Sequence, residues 1–95
     1  MKLWSKCIKN HKTVLSQVQD FDLAPVYDIE TWNRVLTEVC MTFDISRPLL
    51  MNKNLRELRE FGTTAFKKAD FIDDFSFDKL ELEIIREKKK KSDLY

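Results

Sequence analysis

Glycine occurs once in this chain, histidine once, proline twice and cysteine twice. Each scarcity closes a door. A single glycine, Gly62, cannot build a glycine-rich phosphate loop or a dinucleotide fingerprint, both of which need several. So few glycines and prolines also argue against disorder and against a turn-dense all-β sandwich. One histidine and two widely separated cysteines, Cys7 and Cys40, form no zinc-ligand spacing and no disulfide framework. No window approaches the roughly 18 apolar residues of a membrane span, and the first residues carry no apolar signal core. The expectation is a cytoplasmic protein in a reducing setting, without membrane association and without cofactors.

What is present is a core and a great deal of charge. The 95 residues are 43% hydrophobic and 35% charged, with seven phenylalanines, enough for one modest aromatic-rich core. Residues 1–87 read as one α+β domain and 88–95 as a basic C-terminal tail, frayed or disordered. The net charge of +1 hides blocks of one sign. Residues 1–19 hold lysines and no acid, 20–44 and 70–83 are acidic, and 86–91 are basic. Blocks of this kind create local fields or pair with one another in the fold.

The first twenty residues predict a β-hairpin. "LWSKCIK" and "KTVLSQVQD" flank Asn10-His11, and asparagine tolerates the positive φ of a primed turn. A regular two-residue hairpin pairs Cys7 with Val14, Ser5 with Ser16 and Leu3 with Val18. That register puts Leu3, Cys7, Val14 and Val18 on a core face, with Trp4, Lys6, Ile8, Thr13, Leu15 and Gln17 on the other. Trp32, Val35, Leu36, Val39, Cys40 and Phe43 recur at helical spacing, predicting a long helix capped by Asp28. "KNLRELREFG" predicts a short helix ending at Gly62, with Leu55, Leu58 and Phe61 inward. "TTAF" fits a short strand, and Asp70 suits the cap of a single helical turn. Leu80, Leu82 and Ile84 alternate with Lys79, Glu81 and Glu83, the pattern of a half-buried strand. The fold expected is α+β: hairpin and C-terminal strand in an antiparallel sheet packed against one long and one short helix.

Between the helices lies "DISRPLLMNKN", residues 44–54. Pro48 keeps Arg47 out of helical geometry, so the long helix stops before it. Leu49, Leu50 and Met51 form an extended, partly buried strap, packed on the sheet or the helix, near Trp4 and Leu15. Asn52 or Asn54 is placed to cap the second helix, and Arg47 to anchor a carboxylate such as Asp44.

Catalytic chemistry finds little footing. His11 sits at a hairpin tip, remote from an inward-pointing Cys7. Asp70, Asp73, Asp74 and Asp78 lack the alternate spacing of a calcium loop and are interrupted by Phe71, Phe75 and Phe77. They read as a solvated acidic edge. No catalytic, cofactor-binding or metal-binding residue is assigned, and the chain is not expected to be an enzyme. Binding has more material. Trp4, Lys6, Ile8 and Leu15, joined by Arg47, make a candidate interaction patch if residues 49–61 do not cover them. The partner is then another protein or a second copy. Lys2, Lys6, Lys9 and Lys12 around Trp4 also allow nucleic-acid binding through the hairpin, disfavoured by a pI near 7.7.

"MKLWSKCIKNHK", "DISRPLLMNKN" with "LREFGTTAFKKADFI", and "FDKLELEI" together resemble a group of small uncharacterised bacterial proteins. The resemblance spans most of the chain and implies a free-standing bacterial product. It carries no activity, cofactor or site residue.

Overall fold

The computed structural model describes residues 1–22 and 27–85; the tail expected at 88–95 lies outside the described residues. In chain order the elements are β1 (Lys2–Lys9), β2 (Lys12–Asp20), α1 (Ile29–Phe43), α2 (Asn52–Phe61), β3 (Thr63–Lys67), a 3₁₀ turn (Lys68–Asp70) and β4 (Lys79–Ile85). The strands form one antiparallel four-stranded sheet in the order β2-β1-β4-β3. This is the expected α+β architecture, with the C-terminal strand seated beside β1.

Both helices serve one face of the sheet. Leu3 and Cys7 of β1, Phe66 of β3 and Leu80, Leu82 and Ile84 of β4 are buried in one cluster with Trp32, Val35, Leu36, Val39 and Cys40 of α1. Leu55 and Leu58 of α2 complete it, with Phe71 and Phe75 from the segment before β4. Each fully buried large side chain of this kind contributes about 1.5–3 kcal/mol. Phe61 departs from its expected inward position and is 72% exposed. The helix stops there, at Gly62 with φ 75°, and the side chain emerges past the covered edge.

The ends of the helices are set locally. Asp28 Oδ1 accepts the Thr31 N–H at 2.7 Å, and this bond holds the Asp28 carboxyl below its ordinary range. At the other end Asp44 takes the left-handed conformation, φ 58°. Its N–H donates to Met41 O and the Ile45 N–H to Cys40 O, closing a Schellman-type stop. The helix therefore ends at Asp44, before Pro48 has any influence.

Residues 44–54 are a strap, as their apolar content implied, but not one that touches Trp4. Pro48 forms an isolated bridge with Phe71, and the Leu49 N–H donates to Asp70 O at 2.9 Å. The strap thus packs on the helix-covered side, with Pro48 buried, Leu50 half-buried and Leu49 and Met51 exposed. Its last residues hold a buried polar chain. Asn54 Oδ1 accepts the Met51 N–H at 2.9 Å, Asn54 Nδ2 donates to Thr64 Oγ1 at 2.9 Å, and the Thr64 hydroxyl donates to Glu57 Oε1 at 2.6 Å. One asparagine therefore caps α2 and ties it to β3. Replacing it leaves the Met51 N–H without its cap and removes one of the two partners of the buried Thr64 hydroxyl, so Asn54→Ala is expected to cost about 1–3 kcal/mol in urea denaturation. A cost below about 0.5 kcal/mol would show that water satisfies these groups instead.

The hairpin turn is of the primed type, with φ 54° at Asn10 and 64° at His11. Its strands, however, are not in the simple register. Val14 is an extra residue on β2, inserted between the pairs Ile8↔Thr13 and Cys7↔Leu15. Beyond this bulge Ser5 pairs with Gln17, Trp4 with Val18 and Leu3 with Gln19. A one-residue slip exchanges the faces of every later side chain. Leu15 and Gln17 therefore turn to the helix side, and Val14 and Val18, expected in the core, are 52% and 55% exposed. His11, exposed and held at positive φ, is where glycine fits better. His11→Gly is expected to stabilise the fold by about 0.5–1 kcal/mol, read as a higher denaturation midpoint at unchanged slope.

Candidate functional site

The face of the sheet opposite the helices carries Trp4, Lys6 and Ile8 from β1, flanked by Ser16 and Val18 of β2 and by Glu81 and Glu83 of β4. No described element covers it. The second helical region lies on the other face, so no described segment closes over Trp4, and Trp4, Lys6 and Ile8 are half-buried.

Trp4 is the fixed point of this surface. Its indole Nε1 donates to Ser16 Oγ at 2.8 Å, and the Lys6 ammonium stands 3.9 Å from the ring centroid. The contact between ammonium and ring face adds a cation–π attraction of about 0.5–1 kcal/mol at such a site. Lys6 Nζ also lies 3.6 Å from Glu81 Oε1 and 3.7 Å from Glu83 Oε1, and Lys79 Nζ lies 3.1 Å from Glu81 Oε2. Lysines and glutamates thus neutralise each other across the centre of the sheet. These half-buried pairs hold the Lys6 ammonium in place over the indole.

Beside Trp4 the sheet surface dips into a shallow recess of about 690 Å³, lined by Trp4, Phe61, Thr63, Glu83 and Ile85. Phe61 joins the site through the turn at Gly62, and Val18 joins it through the bulge. Neither was legible as a surface residue. The nearest signal for Phe61 is its place directly before the only glycine, where a helix ends and its face loses meaning.

The candidate patch is therefore regrouped. Trp4, Lys6 and Ile8 share the open face as expected. Leu15 does not belong with them, because the bulge places it opposite Cys7 on the helix side. Arg47 is equally remote. It donates from its guanidinium to Asn33 Oδ1 at 2.6 Å on α1, taking an amide rather than the expected carboxylate of Asp44. The lysines proposed for nucleic acid are dispersed as well. Lys2 lies near one end of β1 and the facing pair Lys9 and Lys12 at the other, roughly 23 Å away at the usual strand rise.

The remaining chemistry-bearing residues stay apart. His11 is exposed at the turn, while Cys7 is buried beneath α1. Asp70 Oδ2 accepts the Lys67 N–H and Asp78 Oδ2 the Asn10 N–H, so these two carboxylates tie down backbone, while Asp73 and Asp74 face solvent. Among the described residues, no group of three or more His, Cys, Asp or Glu side chains is placed to hold a metal ion. Nor is any described helix long and apolar enough to cross a membrane. No family model, curated protein or solved structure matches the chain.

Cys7 and Cys40 face each other across the sheet–helix interface as free thiols. Burial pushes Cys7 up to about 11 and Cys40 to about 12, the latter also raised by Cys7. A thiol whose pKa is higher folded than unfolded favours the native state while it stays protonated. That advantage is complete below the unfolded value, 9.0, and is lost as pH rises through the folded values. Stability is expected to fall between pH 9 and 12, less steeply in Cys7→Ala, and neither thiol is expected to react with a thiol reagent at pH 8 before unfolding. Rapid native labelling would mean that the interface opens.

Proposed function

We propose that this chain is a non-catalytic interaction module of the bacterial cytoplasm, binding another protein through the open face of its sheet. The observation that carries the reading is the grouping of Trp4, Val18, Ile85 and Phe61 on or beside a face that no described segment covers. An aromatic anchored by a hydrogen bond, next to a shallow recess and ringed by charge, is the composition of a protein-binding hot spot. The paired charges favour a protein over a polyanion. Glu81 and Glu83 stand where phosphates would approach Lys6, and the other hairpin lysines are too dispersed to add to it. The resemblance to small bacterial proteins and the two free thiols support the compartment.

The test is retention of proteins from a lysate of the source organism on immobilised wild type and on Trp4→Ala. A partner held in stoichiometric amount by the wild type and lost with Trp4→Ala, a change of about 2 kcal/mol or more, is the expected result. In a Trp32→Phe background Trp4 is the sole tryptophan, so the purified partner should shift its emission. Identical retention by wild type and variant would overturn the reading. Salt-sensitive retention of nucleic acid alone would replace it with the second binding mode.

A further inference from the structure

We propose that β2 pairs edge to edge with the β2 of a second copy, antiparallel about a two-fold axis at Val18, extending the four-stranded sheet to eight strands. This rests on the reading of the chain as an interaction module and adds to its open face a second surface, the sheet edge, taken by a second copy.

The direction of the backbone groups comes first. The Phe21 N–H donates to Met1 O at 2.7 Å, and the Met1 amine donates to Phe21 O at 2.8 Å, so this pair exchanges both bonds. In an antiparallel ladder such pairs alternate with pairs that exchange none. Leu3↔Gln19, Ser5↔Gln17 and Cys7↔Leu15 are then bonded pairs, and the N–H and C=O groups of Ser16, Val18 and Asp20 point away from β1. No described strand lies on that side. The bulge at Val14 disrupts the edge only near the turn; from Leu15 to Asp20 the register is unbroken.

Among the described residues that edge is also unguarded. Exposed edges are usually protected by lysine, proline or a local cover. Between Lys12 and Asp20 there is neither a charged residue nor a proline. The opposite edge differs. β3 is five residues long, it ends in Lys67, and the Lys67 N–H is already taken by Asp70 at 2.8 Å.

The sequence of β2 is complementary to itself in one register. With the axis at Val18, its N–H and C=O exchange bonds with those of the second copy's Val18, and Ser16 does the same with the second copy's Asp20. On the open face the valines meet, each backed by its own Trp4, so an apolar strip runs unbroken across the junction. Hydroxyl faces carboxylate beside it, and no like charges oppose. On the helix face Gln17 falls opposite the second copy's Gln19. Gln17 Nε2 and Gln19 Oε1, a donor and an acceptor, have no partner within the described chain; a change of rotamer brings them together across the axis. Moving the axis to Gln19 sets Asp20 against Val18, and moving it to Ser16 brings the bulge into the ladder.

Light scattering and sedimentation of the full chain across a concentration series, with three variants, test the pairing. Wild type is expected to run as a dimer. Val18→Lys places two ammonium groups at the axis on a side chain already 55% exposed, and is expected to weaken the dimer about tenfold or more with an unchanged circular dichroism spectrum. Val18→Cys is expected to cross-link readily under mild oxidation, since a bonded antiparallel pair stands about 5.5 Å apart, inside disulfide range. Ser16→Cys is the register control, with its thiols roughly 13 Å apart, and should not cross-link. A wild-type monomer at all concentrations, a dimer indifferent to Val18→Lys, or equal cross-linking of both cysteine variants would each overturn the pairing. If the wild type is monomeric yet still retains a Trp4-dependent protein, the pairing falls and the interaction reading stands.

Discussion

The bulge at Val14 governs more of this molecule than any other single feature. It decides which side chains of β2 meet the helices and which meet solvent. Trp4 can donate to Ser16 only because the slip brings Ser16 onto its face. In the regular register Ser16 would stand opposite Ser5, beneath the helices. The same slip aligns Met1 with Phe21, so the first residue closes the ladder at its far end. A local irregularity of one residue thus sets the composition of both surfaces, at the cost of leaving two valines in water.

The other half of the molecule is organised by tethers rather than by register. The left-handed Asp44 stops α1, and the chain then runs as a strap whose bridge to Phe71 reaches the segment before β4. Phe71 and Phe75 stack at 3.8 Å beneath it, with Phe77 edge-on at 5.6 Å. Asn54 secures the next turn from within. The acidic residues between these phenylalanines stay outside, and packing of the rings accounts for their clustering. Aromatic rings demand the interior, and the chain between them is short, so the intervening carboxylates are displaced to the rim.

Most of the fold was legible because its signals are local. Helical spacing marked α1, alternation marked β4, and Asn10, Asp28 and Gly62 each act within a few residues of themselves. The candidate site was legible only in part. Trp4, Lys6 and Ile8 fall on one face by strand alternation, which no distant contact alters. Leu15 was misplaced because a bulge depends on which of two registers gives better contacts on both faces, and period-two reasoning cannot weigh that. Phe61 was misplaced because helical periodicity says nothing about where the covering sheet ends. Arg47 found Asn33 instead of Asp44 through the path of the strap, a tertiary matter.

The pairing of β1 with β4 has a kinetic side. The two central strands come from opposite ends of the described chain, residues 2–9 and 79–85, with both helices and β3 threaded between them. During synthesis the hairpin and α1 emerge early, yet the sheet stays split into two pieces until Ile85 has left the ribosome. Until then Leu3 and Cys7 have a bare strand edge beside them, and α1 has only half a floor. Closing so long a loop costs entropy before it yields contacts, so assembly is expected to be late, cooperative and slow for a domain this small.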